Sequence, residues 1–343
     1  MANFSPSNLV KAQGLLKDEF TRSEMREKVL PALKLGIANG DPLIPNAAEL
    51  RKREDRAVSG YMMKRQSRAP LSSRTATHTG TSGDSLELPF TWSTYADVFT
   101  ISLKQLDTNV FSFEQAMAQN IKNCILNIHA QIETDMVAFL LSNRTQVVGN
   151  TTPLGTRTTW NAVNYAWEVS AGDKKQFFQL AKQILFGNKY SQQQFDVIAS
   201  QQNAVDADFW VNQGAGNAQN TAFQFSGLNI ATSTDLTDSN YGNGVSLVMP
   251  KASFAIIDWI PSQNRKGYGD YNSYTGGYGS MQDPTGSGLT FAVHGYSLRA
   301  DTSSINGVAQ DNQMQFEISV DIASALSPLS TATESVVYEI AQQ

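Results

Sequence analysis

Three histidines, one cysteine and two closely spaced aspartates carry most of the chemical potential of this chain. A cysteine beside a histidine would make a thiolate nucleophile with its base. Cys124 and His129 stand five residues apart in a helix-like stretch. At about 100° per residue their side chains diverge by about 140°, which suits neither a shared metal nor a proton relay. A core or interface role is the expectation for His129. Asp206 and Asp208 in "VDADF" would be a paired acid and base, but residues two apart on a helix do not share a face. His78 lies in the polar tip "TATHTGTSGDS" and His294 in a strand-like run, and no Cys/His spacing fits a zinc site. No Walker loop, EF-hand, HExxH or GxSxG elbow occurs. The nearest approach to GxGxxG, "GAGNAQN" at Gly214–Asn220, lacks the third glycine and reads as a turn. Ser200 ends a short apolar run, "FDVIAS", that breaks into a helix-like segment. It has no glycine cradle and no histidine beside it, so Ser200 or Asn203 is expected to cap that helix. The residues therefore point away from an enzyme, with no catalytic, cofactor-binding or metal-binding group and no cofactor.

The elements around these residues fit a scaffold. The chain has 343 residues, 41% hydrophobic and 17% charged. A chain of that length buries roughly 75% of its unfolded surface and needs no disulfide staple. One cysteine allows no intrachain bridge, and the net charge of −5 argues against a dedicated duplex-binding protein. The opening "MANFSPSNLVKAQG" has no basic segment leading into an apolar one, and no apolar run approaches the ~20 residues of a membrane span. The expectation is a soluble protein made in a cytoplasm, with no membrane partner.

The clearest element is "SFEQAMAQNIKNCILNIHAQIETDMVAFLLSNR". Ser112 and Gln115 stand in capping-box relation. Met117, Ile121, Ile125, Ile128, Ile132, Met136 and Phe139 follow at steps of three or four. No Pro or Gly interrupts the stretch, so the spacing predicts one helix of roughly 43 Å. Upstream, residues 1–50 read as weakly amphipathic helices interrupted at Pro31 and broken at "NGDPLIP", an arm with no core of its own. "LELPFTWSTYADVFTISLKQL" alternates as half-buried strands do and forms, with the polar tip before it, a hairpin excursion. Downstream, "GDKKQFFQLAKQILFGN" is a helix closed by Gly187. "FDVIAS", a strand around Gly227, and "GVSLVMPKASFAIIDWI" add strands to a mixed sheet covered by helices, so the fold class is α+β. Residues 267–288 read as a Gly/Tyr-rich loop. "LTFAVHGYSLRADTS" and "NQMQFEISVDIAS" read as two long strands, and "PLSTATESVVYEIAQQ" as a last one.

One segment is strongly basic. Arg51, Lys52, Arg53, Arg56, Lys64, Arg65, Arg68 and Arg74 oppose only Glu54 and Asp55. With Tyr61 as its only aromatic it is no base-stacking platform. It is either a solvated face or a sequence-blind contact with phosphates or an acidic neighbour.

The order of these elements resembles the major capsid proteins of tailed bacteriophages, the Hong Kong 97 fold. "FDVIASQQNAVDADFW", "FSGLNIATSTDL", "GVSLVMPKASFAIIDW" and "MQFEISVDI" resemble successive segments of that family, in the family's order. The resemblance implies an N-terminal arm at 1–56 and an extended loop at 57–106. It implies a peripheral domain at 107–172 and 289–343, with its spine helix near 112–142, and an axial domain at 173–288. It further implies self-assembly through pentamers and hexamers into an icosahedral shell around phage DNA. The chain would be located in the virion capsid after synthesis and assembly in the host cytoplasm. Portal, scaffolding and decoration proteins would be its partners, and packaged double-stranded DNA a non-specific contact. The basic residues would then face a neighbouring subunit or DNA, and Tyr268, Tyr271, Tyr274 and Tyr278 would be axial-loop contacts. The competing readings are a tail or decoration protein, a cytoplasmic α/β enzyme, and a phage nucleic-acid-binding protein.

Overall fold

The computed structural model describes residues 11–12, 14–15, 28–63, 84–102, 113–147, 156–190, 194–213, 227–271, 273, 275–297, 313–329 and 333–343. The first well-defined helix, α1 (Pro31–Ala38), begins at the proline expected to interrupt it. Proline at the first helical position gives up an amide that has no partner there and presets the backbone angle, so it starts the helix and does not break it. Two of the remaining free amides, on Ala32 and Leu33, donate to the buried Glu133 carboxylate at 3.1 and 2.9 Å, across 100 residues of chain. Short helices α2 (Gly40–Leu43) and α3 (Ala47–Leu50) follow. Leu33, Leu43 and Ile44 are fully or nearly fully buried, so this part of the arm belongs to the core, contrary to the sequence expectation. Gly36 explains how: a Cβ there would meet the Ile256 side chain at 2.5 Å, so only glycine lets the helix lie this close to the strand beneath it.

The hairpin excursion is β1 (Ser59–Met63) paired antiparallel with β2 (Ser85–Pro89); its tip, with His78, lies outside the described residues. The chain then enters β3 (Thr91–Ser102) and the spine helix α4 (Phe113–Ser142); Ser112, its expected cap, also lies outside the described residues. The spine has 30 residues and is about 45 Å long. By length and composition alone it would pass as a membrane span. Its apolar stripe is spent on a sheet: Met117, Ile121, Ile125, Ile128 and Ile132 are buried with Tyr95, Ile101, Phe316 and Ile318.

The remaining elements are β4 (Thr158–Asn161), β5 (Ala166–Val169), α5 (Phe177–Gly187), β6 (Phe195–Ser200), α6 (Gln201–Gln213), β7 (Leu228–Ser233), β8 (Val245–Pro250), β9 (Phe254–Trp259), α7 (Ser262–Lys266), β10 (Tyr268–Gly269), β11 (Gly277–Gln282), β12 (Thr290–Ser297), β13 (Gln313–Leu326) and β14 (Tyr338–Gln342). They form two six-stranded sheets. The first runs β10-β11-β12-β13-β3, with β9 beside the far half of β13, and every pair in it is antiparallel. The second runs β4-β5-β14-β8-β6-β7 and is mixed, with β5/β14 and β6/β7 parallel. Helix α5 covers one of its faces with Phe177, Phe178, Leu180 and Ile184. Its other face, through Ile198, Leu247 and Ala341, joins the spine-helix core.

Two sheet assignments depart from the sequence-based segments. β9, β10 and β11, expected in the axial segment 173–288, complete the first sheet, and the Gly/Tyr stretch, expected as a loop, contains β10 and β11. β4, β5 and β14, expected in the peripheral segments, complete the second. The chain crosses between sheets at Ala252, whose φ of 60° turns it sharply between β8 and β9. Strand periodicity shows that a segment is buried but not which sheet it joins.

Candidate functional site

The strand-to-helix junction at Ser200 is scaffold, as the sequence reading expects. Ser200 Oγ accepts hydrogen bonds from the Val245 amide at 3.1 Å and from the Asn203 amide at 3.5 Å. It therefore caps α6 and ties it to β8. Cys124 is buried, and desolvation with Asp97 nearby pushes its thiol up to about 12, so the reactive thiolate is suppressed. His129 lies deep in the core with Nε2 2.8 Å from Asp283 Oδ2. That sets the imidazole edge against the carboxylate, with the atoms off the line of a hydrogen bond. Burial alone would raise the Asp283 carboxyl, but His129, Ser287 and Thr285 together hold it below the usual range. Among the described residues, no three His, Cys, Asp or Glu side chains converge on a metal-sized site.

The basic segment is partly spent inside the molecule. Arg51 Nε donates to Asp258 at 2.7 Å and its Nη1 to Asp41 at 3.1 Å. Arg56 lies 3.6 Å from Asp321 and over the Trp259 ring at 6.0 Å. Arg265 packs against the same ring at 5.9 Å and donates to the carbonyls of Arg51 and Arg53. Trp259 Nε1 donates to the Arg53 carbonyl at 3.0 Å. Residues 51–56 thus fasten the arm to β9 and β13. Lys52 and the Arg53 side chain face solvent, while Lys64, Arg65, Arg68 and Arg74 lie outside the described residues. The sequence signal was charge alone, and charge does not reveal partners more than 200 residues away.

The four tyrosines divide in the same way. Tyr271 folds back over Gly277, Gly279 and Gly295 and contacts Phe316. A Cβ on Gly279 would meet its hydroxyl at 2.2 Å, so the glycines form a trough for the ring. It is packing within its own subunit and not a free contact. Tyr274 lies outside the described residues. Tyr268 and Tyr278 sit on the opposite face of the first sheet. There, directly paired positions run Tyr268, Tyr278, His294, Glu317, Val98 across five strands. Tyr278 stacks on His294 at 4.5 Å, and the ends of the row, Tyr268 and Val98, are 72% and 68% exposed. Sequence reading missed this row because its members come from strands far apart in the chain. The register of the sheet brings them together.

This is the Hong Kong 97-like fold of phage capsid subunits. A structure from Mycobacterium phage Che8 matches with a TM-score of 0.53 at 10% identity, over 93% of this chain and 93% of that one. The capsid structure of cyanophage P-SCSP1u matches with a TM-score of 0.50 at 14% identity, over 100% of this chain and 99% of that one. No protein-family model matches the sequence, and no curated protein does.

Proposed function

We propose that this chain is a major capsid protein that assembles with copies of itself into the icosahedral shell of a tailed phage. The observation that carries the reading is the end-to-end match of the whole chain to a chain of the cyanophage capsid structure. The arrangement of the molecule supports it. A rigid spine packed on a long antiparallel sheet leaves much of the other face free beyond the end that the arm covers, and that free part carries few charges to desolvate. Identical subunits tiling through heterologous contacts close by symmetry, so each contact can be weak. An exposed ion pair adds about 0.2–1 kcal/mol, and many copies of such contacts give a stable shell that still corrects its errors. Lys52, Arg53 and the basic residues at 64–74 supply such contacts to a neighbour or to packaged DNA. Portal, scaffolding and decoration proteins are its further partners, and the host cytoplasm is where it assembles.

Sedimentation velocity tests this on the chain co-produced with the products of its flanking genes. The reading expects particles far larger than any small oligomer, lost when Arg65 and Arg68 are both reversed to Glu while the subunit stays folded. Normal particle yield from the reversed variant would remove the basic segment from the contacts. A chain that stays monomeric beside those products would favour an accessory role.

A further inference from the structure

The spine helix meets the second sheet at a cluster around the buried Glu339 in which acids outnumber bases. Arg144, two residues past the end of the helix, places Nη1 2.9 Å from Glu339 Oε2 on β14 and 3.9 Å from Asp238 Oδ2 in the β7–β8 connection. Glu339 is fully buried, and neither of its oxygens receives an aligned hydrogen bond. Asp238 is engaged on its other oxygen by the Asn240 backbone and side chain, both at 2.8 Å. Tyr241, from the same connection, turns its hydroxyl to Glu168 on β5 at 2.8 Å. Asn161 and Gln343 also donate to Glu168, so that third carboxylate is satisfied without Arg144. One guanidinium, at the edge of the site, is left facing two carboxylates, of which Glu339 is fully shut off from water. Ionising both would leave a net negative charge there, which desolvation opposes.

The same cluster sits on the joint between the two halves of the fold. The Thr145 amide donates to the Val337 carbonyl at 2.9 Å, and the Gln146 amide to the Thr333 carbonyl at 3.1 Å. These bonds fix the end of the spine to the segment that leads into β14, the strand that carries Glu339.

We propose that this joint is proton-linked: one proton held between Glu339 and Asp238 keeps it closed, and loss of that proton as the pH rises loosens the bonds of Thr145 and Gln146. Burial, the largest influence, and the neighbouring Asp238 push the Glu339 carboxyl up to about 8, against the pull of Arg144. The transition therefore falls near neutral to mildly alkaline pH. Below it the neutral acid shares its proton with Asp238, and Arg144 balances the single remaining charge. Above it two adjacent carboxylates compete for one guanidinium. The inference concerns the unassembled subunit and does not depend on the shell reading.

Hydrogen–deuterium exchange on the full chain at pH 6 and pH 9 tests it, with protection factors corrected for intrinsic exchange. Protection of the Thr145 and Gln146 amides should fall about tenfold or more between the two, while spine amides near Ile125 keep theirs. In Glu339→Gln, which is neutral at every pH, the fall should vanish. Should that variant fail to fold, Asp238→Asn leaves Glu339 alone with Arg144, and its joint should stay protected at pH 9. Equal protection of the wild-type joint at pH 6 and 9, or a fall that persists in either folded variant, would overturn the proposal.

Discussion

The first sheet is antiparallel, packed by the spine on one face and, beyond the β9 end that the arm covers, open on the other; the second is mixed, with its central strands closed on both. In the first sheet β3 alternates, with Tyr95 and Ile101 inward and Val98 outward. In the second, every residue of β6, β8 and β14 is buried. The contrast extends to their buried acids. Asp283, under the first sheet, has His129, Thr285 and Ser287 around it and stays ionised. Glu339, in the second, shares a single arginine and holds its proton to about 8. One half of the molecule can offer a surface, while the other is interior whose polar groups must be matched within the subunit.

The sharpest test of that contrast places the same charge in both sheets. Val197→Asp, 1% exposed in β6, should cost more than about 4 kcal/mol or prevent folding, because the carboxylate would have no partner there. Urea unfolding measures it. Removing the guanidinium at the joint comes next. Arg144→Ala should cost about 3 kcal/mol at pH 8, since it leaves buried carboxylates uncompensated, and less at pH 5, where Glu339 is neutral. The tyrosines give a third comparison. Tyr271→Ala should lower stability by about 2–3 kcal/mol through the emptied glycine trough, and Tyr268→Ala by less than about 0.5 kcal/mol.

The two acids also set opposite pH dependences. Glu339 has a folded pKa of about 8, above its ordinary 4.5, so its contribution to stability is complete below about pH 4.5 and disappears as the pH rises through 8. Asp283 is held below its ordinary 3.8, so its contribution is present above that value and disappears as the pH falls. Melting temperature should therefore decline on both sides of a mildly acidic optimum, and Glu339→Gln should flatten only the alkaline side. The smallest effect is expected on the open face: Val98→Asp should change subunit stability by less than about 0.5 kcal/mol while reducing particle assembly.

The spine was legible because its period of three to four residues persists over eight turns, α5 because its apolar stripe is local, and α6 because its cap, Ser200, is local. β6, β8, β12 and β13 were legible as strands from their apolar runs. Their partners were not, since β8 and β9 are separated by three residues yet join different sheets. The same limit governed the site. Charge at Arg51 and Arg56 was plain in the sequence, but Asp258 and Asp321, which receive it, are contributed by β9 and β13. The row from Tyr268 to Val98 depends on the register of five strands, and no local pattern encodes it.

The central claim is most directly tested by electron microscopy of the purified chain, produced with its flanking gene products and fractionated by size. The account predicts closed shells, or five- and six-membered rings of one repeating subunit. Fields containing only separate monomers would contradict it.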